Sequence, residues 1–246
     1  MKILGLIPAR YASTRFPGKP LVDISGKSMI QRVYEQALKA NCLTKVVVAT
    51  DDERIFSHVE AFGGNAILTS SEHQSGTDRC TEVAEHFSEY EALINIQGDE
   101  PLIDPKQIDL LGEKISQTDV RLATLIKKID TLEELQNPNT PKVICKTSGE
   151  AIYFSRQTIP HIRETEPEKW LEKHTYFKHI GIYAYKRETL KQIAKLEPSK
   201  LEKAESLEQL RWIEHGFPIH TVVTTIETLA VDTPEDLKRI IELIQS

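Results

Sequence analysis

Ile3-Leu4-Gly5-Leu6-Ile7-Pro8-Ala9-Arg10-Tyr11-Ala12-Ser13-Thr14-Arg15-Phe16-Pro17-Gly18-Lys19-Pro20-Leu21 begins as an apolar run and empties into a loop of small residues that carries three cations, Arg10, Arg15 and Lys19. An apolar run of this kind predicts a strand buried on both faces, as in parallel sheets. Glycine and other small residues let backbone N–H groups approach phosphate oxygens, arginine adds a bidentate fork, and lysine a point charge. The stretch therefore predicts an anion site at the mouth of a parallel strand. It is not a Walker A loop, nor the Gly-x-Gly-x-x-Gly of dinucleotide folds. Taken alone, a solvated surface loop whose cations keep the protein soluble would read the same way.

Outward from this stretch the strand, loop, helix pattern repeats. Apolar runs at 2–7, 45–50, 65–69 and 93–97 read as buried parallel strands, and amphipathic stretches at about 28–40, 52–62 and 77–87 as the intervening helices. The expected fold class is α/β, a doubly wound, mostly parallel sheet. After Asn137-Pro138-Asn139 the pattern changes to a β-hairpin, 142–146 and 151–155 around a polar turn, then an irregular stretch and a strand at 176–185. This predicts a small antiparallel insertion, about 147–186, within a single domain spanning 1–246, since no linker isolates it. Helical periods at 187–195, 203–215 and 233–244 and a strand at 219–224 complete the chain.

With 246 residues the chain can bury a sizeable core, and its 39% hydrophobic and 28% charged residues are ordinary for a soluble globular protein. A formal charge of −6 argues against a nucleic-acid partner, which needs a basic surface. No signal peptide or long apolar span is present, which predicts a cytoplasmic protein without a membrane partner. Three well-separated cysteines, Cys42, Cys80 and Cys145, suggest buried thiols in a reducing compartment, and the spacing of His161, His174 and His179 matches no zinc template.

Ligands of doubly wound sheets bind outside the carboxyl ends of the strands, and the segments there are unusual. Gln97-Gly98-Asp99-Glu100-Pro101 puts a carboxylate after a strand, suited to Mg²⁺, although the same letters also make a plain turn. In Val231-Asp232-Thr233-Pro234-Glu235-Asp236, helix capping accounts for Thr233, Pro234 and Asp236 and leaves Asp232 without a structural task. Gln74-Ser75-Gly76, with Arg79 beyond it, opens a helix whose backbone N–H groups could face the same crevice. Asp51 and Asp52 read as a helix start.

Pro8-Ala9-Arg10, Ser13-Thr14-Arg15 and Pro17-Gly18-Lys19-Pro20-Leu21 resemble the N-terminal signature of the sugar-acid cytidylyltransferases, over nearly the whole chain. Tyr153-Phe154-Ser155-Arg156, His179-Ile180-Gly181-Ile182-Tyr183 and Leu207-Glu208-Gln209-Leu210-Arg211 narrow the resemblance to the branch acting on 3-deoxy-manno-octulosonate (Kdo). The resemblance implies a nucleotide-diphospho-sugar transferase-like fold, CTP and a Kdo-type sugar acid as partners, Mg²⁺ as cofactor, and a homodimer. It assigns the nucleotide to Pro8, Ala9, Arg10, Arg15, Lys19, Gln74, Ser75, Gly76 and Arg79, and the metal to Asp99 and Asp232. Gln97, Arg156, His179, Tyr183, Glu208 and Gln209 go to the sugar acid, and catalysis to Arg10, Lys19, Asp99 and Asp232. An enzyme for 8-amino-Kdo or a sialic acid, or a nucleotide sensor without turnover, would share much of this pattern.

Overall fold

Capped helices alternate with apolar strands in the computed structural model, which describes residues 1–12, 16–73 and 75–245. The first half runs β1 (Ile3–Ala9), β2 (Asp23–Ile24), β3 (Lys27–Ser28), α1 (Met29–Ala37), β4 (Lys45–Thr50), α2 (Glu53–Ala61), β5 (Ala66–Leu68), α3 (Gly76–His86), β6 (Ala92–Asn95) and α4 (Pro105–Ser116). Then follow β7 (Leu122–Lys128), α5 (Leu132–Gln136), β8 (Lys142–Cys145), β9 (Ala151–Ser155), α6 (Trp170–Lys173) and β10 (Phe177–Lys186). The chain closes with α7 (Arg187–Ile193), α8 (Lys200–Glu205), α9 (Gln209–Glu214), β11 (His220–Thr224) and α10 (Pro234–Gln245). Ser28, Asp52 and Asp104 cap α1, α2 and α4 through their side chains, and Ser75 and Asp78 form a capping box on α3, each such cap being worth about 1 kcal/mol.

The main sheet is ordered β11-β7-β10-β6-β1-β4-β5, with β8 joined to β10 and β9 to β8. Along the main path every strand but β10 points the same way, so the sheet is mostly parallel with an antiparallel extension. Alternation along β1 sends Ile3 and Ile7 to one face, beneath α1 and α4, and Leu4 and Leu6 to the other, beneath α3. Helices on both faces bury the sheet, as doubly wound folds require. Among the described residues no helix is long and apolar enough to cross a membrane.

Three features depart from what periodicity predicts. β10, expected in the insertion, runs through the middle of the sheet between β6 and β7, and the hairpin extends the same sheet from β10, so only the irregular stretch after it lies outside the sheet. The segment holding α4 and β7 carries two elements where none is predicted, although Leu122-Ala123-Thr124-Leu125-Ile126 is as apolar as β1. The expected helix at 203–215 is two, because Ser206 turns left-handed (φ 51°) and ends α8.

Helix α10 folds back over the start of the chain. Ile240, 1% exposed, packs with Ile24, Met29 and Val231, so the last helix seats the loop that follows β1. Ile240→Ala should cost about 2–5 kcal/mol of stability, read as a lowered urea midpoint.

Candidate active site

β1 connects onward to β4 on one side, while β6 returns on its other side, so the helices part at the carboxyl ends of β1 and β6. That is the topological switch point where such sheets bind ligands. A cavity of about 140 Å³ opens there, lined by Pro8, Ala9, Arg10, Lys19, Pro20, Gln97, Gly98 and Asp99. Gly98 is needed for the closeness of its walls, since a Cβ would stand 2.8 Å from the Pro8 carbonyl oxygen. The loop after β1 turns at Gly18 (φ 72°), whose N–H donates to the Tyr11 carbonyl at 2.9 Å, and delivers Lys19 in a short 3₁₀ turn.

Lys19 is the centre of the site. Its Nζ lies 2.7 Å from Asp99 Oδ2 and 3.3 Å from Asp232 Oδ1, with the lysine side chain 13% exposed. Asp232 reaches this point because the Val231 N–H donates to the Asp99 carbonyl at 2.9 Å. Asp236 Oδ2 then accepts from the backbone N–H groups of Asp232 and Thr233 and starts α10, the capping arrangement that leaves Asp232 to face the lysine. Mg²⁺ is usually held by one or two carboxylates plus substrate phosphates, and two carboxylates already turned toward one cation fit that donor set. Among the described residues no cluster of three or more metal-ligating side chains occurs.

Arg10 donates to the His73 carbonyl at 2.6 Å, tying the first loop to the segment ahead of α3. Ser75 and Gly76 begin α3 there, Gly76 beside Pro8. Arg79 does not face the crevice as expected. Its guanidinium is fully buried, paired with Asp51 at 3.0 Å and bonded to the Thr69 hydroxyl, so it fastens α3 to the ends of β4 and β5. Asp52 caps α2, as its position suggests. Arg15 and Gln74 lie outside the described residues.

A second group of side chains lies toward β10. Gln97 Nε2 donates to the Gly181 carbonyl at 2.7 Å. Between Ile180 and Tyr183 the register of β10 against β7 shifts, so the strand bulges where it passes the site. His179 sits just ahead of this bend, its ring between Phe154 and Tyr183 with centroids 5.0 and 5.2 Å away, and burial lowers its pKa to about 3. Glu208 accepts from the Thr77 hydroxyl at 2.8 Å, and its burial raises the carboxyl above its usual range. Among the described residues, Tyr183 Oη and Gln209 Nε2 are buried and find no hydrogen-bond partner, and the same holds for Asn95 Oδ1, Tyr185 Oη and Trp212 Nε1. Native interiors leave few such atoms, and a group of them marks a place built for a polar ligand or bound water.

Arg156 is held by its surroundings. Nε donates to the Glu205 carbonyl (2.6 Å), Nη1 to Pro138 (3.1 Å) and Nη2 to Ser206 (3.3 Å). Its own carbonyl accepts from the buried Lys142 ammonium at 2.7 Å. Two of its five N–H donors thus knit the end of the hairpin to the turn between α8 and α9, and a third ties it to the loop ahead of β8. Sequence reasoning missed Asn95, Thr124, Tyr185 and Trp212. The available signal was Asn95 and Thr124, polar residues inside apolar strands.

A cytidylyltransferase family model matches residues 4–244. The 3-deoxy-manno-octulosonate cytidylyltransferase of Cytophaga hutchinsonii is 58% identical, covering 98% of this chain and 96% of its own. That of Parabacteroides distasonis is 52% identical, covering 97% and 96%. Among solved structures, a CMP:2-keto-3-deoxy-manno-octonic acid synthetase complexed with CTP superposes with a TM-score of 0.92 at 45% identity, over 100% of this chain and 99% of that one. A cytidylyltransferase from Leptospira borgpetersenii shares the fold, with a TM-score of 0.60 at 17% identity, over 100% and 94%.

Glu100, beside Asp99, is 6% exposed, and burial together with the Asp99 charge raises its carboxyl from 4.5 to about 8. The folded state thus binds a proton that the unfolded chain has lost, so stability falls as pH rises from about 4.5 to about 8, by about 1.4 kcal/mol per unit at the steepest. Glu100→Gln should remove this slope. Urea denaturation across the window should find the variant more stable than the parent at its alkaline end and equal to it at its acid end.

Proposed function

The chain belongs to the cytidylyltransferase family, and from that premise we propose that it transfers CMP from CTP to Kdo, releasing pyrophosphate and forming CMP-Kdo. The observation that carries the reading is the Lys19 ammonium between Asp99 and Asp232, three residues from distant parts of the chain meeting at the switch point of the sheet. High identity to relatives named for Kdo favours that sugar over 8-amino-Kdo or a sialic acid.

In this reaction the C2 hydroxyl oxygen of Kdo forms a bond to the α-phosphorus of CTP and gives up its proton to solvent, the bond from that phosphorus to the bridging β-phosphate oxygen breaks, and pyrophosphate carries away the negative charge. Arg10 and the small-residue loop after β1 hold the departing phosphates, the guanidinium offering further N–H donors beyond the one given to His73. Lys19 has three donors; two face the carboxylates, and the third serves a phosphate oxygen as charge develops. Asp99 and Asp232 would hold Mg²⁺, which supplies charge neutralisation at the α-phosphate and a lowered pKa for the attacking hydroxyl. Gln97, His179, Tyr183, Glu208 and Gln209 bind the sugar acid and orient its hydroxyl toward the nucleotide, and the two N–H donors of Arg156 not given to protein carbonyls would serve its carboxylate. The same reading takes the enzyme as a cytoplasmic homodimer feeding lipopolysaccharide assembly.

Pyrophosphate release in the presence of CTP, Kdo and Mg²⁺ tests the reading. Lys19→Ala should lower kcat about 10²- to 10³-fold while keeping the fold, as seen by circular dichroism. A variant that lost stability and kept its turnover number would make the loop structural and overturn the assignment.

A further inference from the structure

Resting on that reading of the site, we propose that Thr124 fixes the tautomer of His179, so that Nδ1 stands as a hydrogen-bond acceptor for a hydroxyl of the sugar-acid substrate. Thr124 is fully buried on β7, opposite the bulge of β10. Its hydroxyl oxygen lies 2.8 Å from the Ile182 carbonyl oxygen, 3.1 Å from that of Ile180 and 3.0 Å from His179 Nε2.

A hydroxyl has one proton to give, and a carbonyl oxygen can only accept. The proton of Thr124 is therefore committed to the two bulge carbonyls. If it pointed instead at His179, two carbonyl oxygens would face a bare hydroxyl oxygen within 3.1 Å, lone pair against lone pair, in a buried place. The contact at 3.0 Å then has one consistent assignment: Nε2 carries the proton and donates it to Thr124. In a neutral imidazole the other nitrogen is left as an acceptor. Nδ1 has no hydrogen-bond partner among the described residues. The same threonine that closes the bulge in β10 thus decides which kind of group the histidine can take from the substrate, a donor such as a sugar hydroxyl.

Thr124 acts through His179 and is a positioning residue. Long-range ¹H–¹⁵N correlation of the histidine ring, assigned by the loss of its signals in His179→Gln, reads the tautomer without substrate. Near neutral pH the wild-type enzyme should show a protonated Nε2 and a bare Nδ1. Thr124→Val should mix the tautomers and raise the KM for Kdo about five- to tenfold, with the KM for CTP little changed. Thr124→Ser, which keeps the hydroxyl, should restore both the spectrum and the KM. A wild-type ring protonated at Nδ1, or a Thr124→Val variant with unaltered spectrum and KM, overturns the proposal. Absence of Kdo turnover by the wild-type enzyme would instead strike the functional reading, and it is distinguished because the tautomer is read independently.

Discussion

Two carboxylates of like charge, Asp99 and Asp232, are brought to one ammonium group, and much of the fold serves to keep them there. At partial exposure each attraction to Lys19 is screened and the repulsion between the two acids works against it, so the ion pairs alone would not hold the arrangement. Packing and backbone bonds do. The Val231 N–H on the Asp99 carbonyl joins the α10 connection to the end of β6, and α10 is in turn seated by Ile240 against Ile24 and Met29. Further back, Glu227 pairs with Lys127 at 3.1 Å and with the buried Lys178, and Gln107 donates to the Ile226 carbonyl at 3.3 Å. The segment that ends in Asp232 is thus clasped to the sheet before it reaches the site.

A second constraint concerns polarity. Around β10 the protein holds a neutral histidine, a raised carboxyl at Glu208 and several buried hydroxyl and amide groups that have no partner among the described residues. Each unpaired buried polar atom costs about 1–3 kcal/mol in the absence of ligand. A purely structural core would have apolar side chains at these positions. Their presence beside the crevice, together with a bulge that interrupts an otherwise regular strand pair, is what a fold that gives up stability for recognition would show, and it supports the proposed sugar-acid site.

Much of this was legible in the sequence. The apolar run of β1 followed by small residues and cations predicts the parallel strand, and a crevice does open at the mouth where the anion site is expected, while the capping letters around Thr233 isolate Asp232 by elimination. What was not legible is instructive. Arg79 stands one turn into α3, where a phosphate-binding arginine would also stand, and only the fold reveals that Asp51 and Thr69 lie within reach to hold it inside. The place of β10 could not be read, because strand order depends on long-range pairing that leaves no local trace. Thr124 escaped for the same reason: its partners, the bulge carbonyls and His179, come from a strand more than fifty residues away.

The central claim is that Asp99 and Asp232 act as one unit around a shared cation, and a double-mutant cycle in single-turnover CMP transfer tests it most directly. Asp99→Asn and Asp232→Asn should each slow the chemical step strongly, and the double variant should be no more than about threefold slower than the slower single one, as residues acting together behave. Losses that multiply in the double variant, or a single variant that reacts like the parent enzyme, would contradict the account.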